Sequence, residues 1–376
     1  MKIRGVGEGT VGQALENVRN RFEMTPKVAI AGFGNAGKSS LFNAIYGEKR
    51  ASVSMRTDET RAAQVERRFG IDFTDTPGIG TGKFSLEKVE QMAVFDRQHV
   101  VVHVLNGATA ISAEDEALHE LLAKTKARRV TVVNKVDILD DREKAEFTES
   151  IAEKLGLFPE DFLFVSAKKQ LHIDELVVRI AEVLPEAMKD AFIGQQRADQ
   201  KLKAKRIRAL IYSKATACAG VALTPIPIAD IVVITPIQIA MVASIGYFHG
   251  VDVTKERILE LLSVLGFGVG LRLAARQLVK LVPGAGSVVG AGIAFAGTIA
   301  LGETSNVWFK RNMEVEPEEL RQIFRRRAED ARERYEREQS EINADAAKAE
   351  VEEPLGEDLL EEEAAEEKAA DLSSRP

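Results

Sequence analysis

The stretch GFGNAGKSS, residues 32–40, constrains the fold of this chain more than any other. It sets three glycines, a lysine and two hydroxyls between an aliphatic run, KVAIA (27–31), and a helical pattern, SSLFNAIYG (39–47). A glycine-rich turn from strand to helix directs successive backbone N–H groups, together with the partial positive charge of the helix start, onto one anion. The turn needs a strand behind it and a helix in front, so a doubly wound, mostly parallel α/β sheet of the phosphate-loop type is expected. Gly32, Gly34, Asn35, Ala36, Gly37, Lys38, Ser39 and Ser40 are the expected phosphate-loop residues. Lys38 would reach the terminal phosphates and Ser39 would bind Mg2+.

Three further motifs follow at the ends of expected strands. DTPG (75–78) places Asp75 beside the metal and offers the Gly78 amide to a γ-phosphate. NKVD (134–137) selects a base: the Asp137 carboxylate can accept from both N1–H and the exocyclic amine of guanine, and adenine has neither donor on that edge. A carboxylate left unpaired against the wrong base costs several kcal/mol, roughly, which excludes ATP. Asn134 would orient the loop and Lys135 would lie along the base. In SAKK (166–169), Ser166, Ala167 and Lys168 complete the pocket, with the Ala167 amide directed at the guanine carbonyl.

The runs KVAIAG (27–32), GIDFTD (70–75), HVVVHVL (99–105), RRVTVVN (128–134) and DFLFVSA (161–167), with a more polar strand near 64–69, lack strict alternation. Strands buried on both faces read this way. Helix-length segments separate most of them.

These motifs, in this order, resemble the GTPase domain of the Era and MnmE branch over about residues 27–188. The resemblance implies GTP and GDP as ligands, Mg2+ as cofactor and GTP hydrolysis at a low intrinsic rate. It also implies a threonine followed by arginine in the first switch, matched here by Thr60 and Arg61 in RTDETRAAQ, with Thr57 as the fallback. Lys38, Thr60 and Gly78 are then the expected catalytic residues, and Ser39, Thr60 and Asp75 the Mg2+ site. Ras-like enzymes carry a glutamine after the second-switch glycine; this chain has Ile79, which cannot polarise water. In MnmE-like relatives an asparagine at the position of Asn35 helps bind K+, which gives one replacement for the missing group; dimerisation through the GTPase domain or another partner gives a second.

Beyond residue 190 the composition changes. The segment from Ala215 to Phe248 holds only Asp230 as a charge, and residues 281–302 hold none. TPIPIADIVVITPIQIAMVASIGYFHG and PGAGSVVGAGIAFAG resemble the YcjF-type helical domain over roughly 195–310. Pro225 and Pro227 suggest a helical hairpin turning near PIPIAD, each arm about long enough to cross or dip into a bilayer. Gly286 and Gly290 form a GxxxG step that would permit close helix contact. Flanking bases (Lys201, Lys203, Lys205, Arg206, Arg208, Lys310, Arg311) fit anionic lipid on the cytoplasmic side. A soluble bundle with an aliphatic core leaves the same marks, so both locations stand as expectations: the cytoplasmic face of a membrane, with lipid or a membrane protein as partner, or the cytoplasm.

The expected organisation is an N-terminal helix (1–26, read over 11–24 with Thr10 as cap), a GTPase domain (27–188), an apolar helical domain (189–312), a charged helix (313–345) and an acidic tail (346–376). The tail's acids outnumber its bases by about eight, so the formal net charge of −7 leaves the rest near neutral. No basic field advertises nucleic acid, and no KH-like pattern or aromatic platform supports the alternative of an RNA- or ribosome-directed GTPase. A nucleotide-binding scaffold with negligible turnover is the third alternative. The single cysteine, Cys218, excludes an internal disulfide, and the five histidines show no zinc pattern. The start, MKIRGVGEGT, lacks the apolar core of a secretory signal.

Overall fold

The computed structural model of the chain describes residues 8–24, 26–46, 95–223, 234–265 and 286–352. The strands expected near 64–75 and the hairpin turn at 225–230 lie outside these residues.

Among the described residues, four strands form one sheet: β1 (Val28–Ala31), β2 (Val100–Asn106), β3 (Arg128–Asn134) and β4 (Phe162–Val165). All pairs are parallel and the order is β1-β2-β3-β4, with Val28 opposite Val100, Val100 opposite Arg128, and Thr131 opposite Phe162. Alternate residues enter different cores. Val28, Ile30, Val100, Val102, Val104, Val130, Val132 and Val165 join one large core. On the opposite face, Ala29, Ala31 and Val101 pack with Leu118 and Leu122, while Leu105, Val133 and Phe162 pack with Ile151 and Leu155. Burial on both faces is the reason these strands are aliphatic throughout.

Five helices accompany the sheet: α1 (Glu8–Glu23), α2 (Lys38–Tyr46), α3 (Ala113–Ala123), α4 (Asp141–Leu155) and α5 (Ile173–Val183). Capping boxes start two of them, Ser112 with Asp115 for α3 and Asp140 with Glu143 for α4. Helix α1 begins at Glu8, so Thr10 lies inside it and is not its cap.

The remaining described helices are α6 (Glu186–Gln195), α7 (Gln200–Leu223), α8 (Thr235–Phe248), α9 (Lys255–Val264), α10 (Gly286–Lys310) and α11 (Pro317–Glu352). Helix α10 packs against α7, α8 and α11, and α1 packs against α6 and α8. The charged helix α11 continues past the expected end at residue 345.

Most of the described apolar residues of α8 and α10 point into the protein. Ile239, Met241, Val242, Ile245 and Phe248, with Ala291, Phe295, Ile299 and Leu301, belong to the same core that covers one face of the sheet. The buried amide of Gln238 donates to the Thr298 hydroxyl at 3.0 Å between these helices. Helix α8, one arm of the expected hairpin, is 14 residues long, shorter than the roughly 20 residues a bilayer crossing requires. Among the described residues no helix is long and apolar enough to cross a membrane.

The close contact expected at the GxxxG step lies elsewhere. A methyl group at Gly290 would meet open space, whereas one at Gly302 would lie 2.7 Å from Ile211 Cγ1 on α7. The crossing of α7 and α10 is therefore set about three turns beyond Gly290, where the small residue Gly302 faces the branched Ile211.

Candidate functional site

The C-terminal ends of β1, β3 and β4 lie along one edge of the parallel sheet, and the expected site residues gather there. At the end of β1, Gly32 passes so close to the Val104 carbonyl that any side chain would overlap it. The loop then turns through Asn35 (φ 62°) and Gly37 (φ 87°), both left-handed, and a side chain at Gly37 would collide with the Asn134 amide. Helix α2 starts at Lys38, and Leu41 N–H donates to the Gly37 carbonyl at 2.9 Å. Helix geometry leaves the amides of the preceding residues without helical acceptors, aimed toward the loop. Lys38 Nζ donates to the Phe33 carbonyl at 3.0 Å, across the mouth of the same loop. Gly34, Asn35 and Ser40 are exposed, Ser39 is half-buried and Ala36 is buried.

Asn134 holds the site together. Its buried side chain donates through Nδ2 to the Ala36 carbonyl at 2.9 Å and accepts from the Ala167 amide at 3.1 Å. One side chain thus fixes the phosphate loop and the SAKK loop to the end of β3. Lys135 adopts a left-handed backbone (φ 71°) and starts a short 3₁₀ turn, Val136–Ile138. That turn presents Asp137 to solvent. The Ser166 hydroxyl donates to Asp137 Oδ1 at 2.6 Å and holds this carboxyl below the ordinary carboxylate value. Lys168 and Lys169 contribute in the same direction, so the group is an anion at neutral pH. Ser166 Oγ in turn accepts from the Lys169 amide at 3.1 Å. An ionised acceptor, Asp137, thus stands beside the backbone loop that carries the Ala167 amide.

Thr60, Asp75 and Gly78, together with Thr57, Arg61 and Ile79, lie outside the described residues. The metal question therefore rests on the donors that are described. A Ser39 hydroxyl in the first turn of α2, beside loop amides and Lys38, supplies one hard oxygen and a place for phosphates; Mg2+ in phosphate sites takes few protein ligands and keeps phosphate oxygens and waters. The residues fit that ion. No cluster of three or more His, Cys, Asp or Glu side chains suited to a metal occurs among the described residues.

Two contributions were not read from the sequence, the carbonyl of an expected loop residue and one further glycine. The Ala36 carbonyl, buried in the loop, is the acceptor that ties it to Asn134. Gly107, directly after β2, lets its own amide donate to the Asn134 carbonyl at 2.9 Å, where a side chain would crowd that carbonyl. The Asn106-Gly107 pair, a turn dipeptide ending an aliphatic run, was the available signal.

Residues 27–135 match the family model described as 50S ribosome-binding GTPase. This segment is therefore similar to a P-loop GTPase domain. Curated GTPase Der proteins are similar to the chain over part of their length. The GTPase Der of Kosmotoga olearia is 31% identical to the chain over 182 residues, covering 45% of this chain and 41% of that protein. The GTPase Der of Thermotoga petrophila is 36% identical over 166 residues, covering 40% and 38%. The chain thus spans about two fifths of the length of these curated relatives. A solved structure of a probable GTP-binding protein, engB, is 23% identical and covers 42% of this chain and 97% of its own, with a TM-score of 0.33, too weak a superposition to speak to function.

Proposed function

We propose that the chain binds GTP and GDP with Mg2+, hydrolyses GTP slowly, and uses the nucleotide state to govern its helical region. The observation that carries this reading is the oriented, ionised Asp137, held by Ser166 beside the Ala167 loop that Asn134 ties to the phosphate loop. The names of the Der relatives support hydrolysis. Ile79 cannot orient the attacking water, so the missing positive or polarising group comes from K+ at Asn35, from a second copy of the chain or from a partner; Asn35 is exposed in the loop with a left-handed backbone, where it can meet any of these. Phosphate release at equal rates in K+ and Na+ buffers would remove the first.

Calorimetry with the full chain and Mg2+ tests the base reading. GTP should bind and ATP should bind about 10⁴-fold more weakly, because a site built to accept from a ligand N–H rejects a ligand lacking it. Asp137→Asn sets an amide donor against the guanine amine and should lower GTP affinity about a hundredfold, with xanthosine triphosphate preferred instead. Equal binding of ATP and GTP would overturn the reading.

The target is a phosphate-rich surface, and two candidates have support. Lys201, Lys205 and Arg208 are exposed along α7, and none forms an ion pair among the described residues. This exposed basic row favours the anionic cytoplasmic face of a membrane. The ribosome-binding description of the matching family favours ribosomal RNA. Flotation with anionic vesicles supports the former; co-migration with ribosomal subunits in a gradient supports the latter.

A further inference from the structure

The helix that carries the phosphate loop at one end is gripped at the other. The last four carbonyls of any helix lack helical donors, and at α2 one of them, the Ile45 carbonyl, accepts from the Arg197 backbone N–H at 2.9 Å. Arg197 stands in the turn between α6 and α7, outside the segment that matches the GTPase family. Beside this bond the Tyr46 ring meets Phe192 of α6 edge-on, with centroids 6.4 Å apart.

The turn is rigid. The buried Gln196 side chain accepts from the Asp199 amide and donates to the Asp199 carbonyl, both at 2.7 Å. Asp199 then caps α7 by accepting from the Leu202 amide at 2.8 Å. Lys203 of α7 reaches back to the Gly194 carbonyl at 2.9 Å. A buried carboxylate, Asp190, draws in two more elements: it accepts from Arg206 of α7 at 2.6 Å and pairs with Arg21 of α1.

We infer that the α6–α7 turn couples nucleotide occupancy to the helical region, with α2 as the rod between them and Phe192, Gln196 and Arg197 as positioning residues for the phosphate loop. Nine residues of α-helix span roughly 13 Å, so a shift of the loop around a nucleotide is delivered to the turn, and a shift of α7 is delivered back to the loop. Coupling of binding free energies is reciprocal by necessity. This inference rests on the proposed nucleotide binding and adds a route through the far end of α2.

Hydrogen–deuterium exchange of the full chain, with and without GDP and Mg2+, tests both readings separately. The expected result is slowed exchange in residues 32–41 and, about fivefold, in 192–203 including the Arg197 amide. Protection confined to 32–41 overturns the coupling and leaves nucleotide binding standing; no protection anywhere overturns both. Arg197→Pro deletes the donor, and Gln196 already has the extended backbone (ψ 151°) required before proline. This variant should bind GDP about fivefold more weakly and lose the distant protection, while Arg197→Ala, which keeps the N–H, should match wild type. Wild-type GDP affinity in a folded Arg197→Pro chain overturns the inference, and should that variant not fold, the wild-type exchange pattern decides alone.

Discussion

Two polar residues sit at buried positions on neighbouring strands, and only one has its hydrogen bonds made. Asn134 is satisfied by two loops. His103, fully buried on β2, has no partner for either ring nitrogen, and its ring lies 5.8 Å from that of the largely buried His119. Burial, then the neighbouring His119 and Arg129, pushes His103 down to about 3; burial, then Arg129, pushes His119 down to about 4. Both rings are neutral in the folded chain at neutral pH, whereas in the unfolded chain they take up protons below about pH 6.5. The stability this contributes is complete above pH 6.5 and is lost as the pH falls toward 4 and then 3, at up to about 1.4 kcal/mol per pH unit and histidine. His103→Leu should therefore move acid unfolding, followed by circular dichroism, to lower pH; an unchanged midpoint would contradict the buried neutral ring. Asp137 and Asn134 were legible in the sequence because their chemistry is carried by four contiguous residues. The role of His103 was not, since an isolated histidine in an aliphatic run says nothing about which neighbours cover it.

At the scale of elements, β3 (128–134) coincides with its expected run, and the other described strands fall within a residue or two of theirs, because continuous aliphatic runs bounded by turns read clearly. Helix partners did not. A GxxxG step reports that close approach is possible, and the choice of which glycine faces a neighbour depends on the rotation of α10 within its layer. Two substitutions on this one helix separate propensity from packing. Gly290→Ala enters open space and should raise stability by up to about 1 kcal/mol through helix propensity alone. Gly302→Ala gains the same propensity but drives a methyl into Ile211, and overpacking of about 1–3 kcal/mol outweighs it. Urea unfolding of the pair should give shifts of opposite sign; a stabilised Gly302→Ala chain would show that α7 and α10 can separate freely.

For the whole molecule, the compositional break near residue 190 marks the start of the helical region in sequence but not a boundary in space. Helix α6 straddles it, and α1, the first helix of the chain, stacks Phe22 on Tyr247 at 5.2 Å and sends Arg19 to Asp252 at 3.1 Å. No local pattern discloses a partner 233 residues away. Asp190, 3% exposed, is where these parts converge. Asp190→Ala should destabilise the chain by about 3 kcal/mol, because Arg21 and Arg206 lose a shared buried acceptor; a change below about 0.5 kcal/mol in urea unfolding would mean that the arginines are adequately solvated without it. The position of α1 also has a consequence for biosynthesis. Val18 and Phe22, buried in the finished protein, are made more than 200 residues before Tyr247 and Phe248. At translation speeds of about 5–20 residues per second that interval is on the order of ten to fifty seconds, during which the nascent chain carries an unsheltered greasy helix beside an already synthesised sheet.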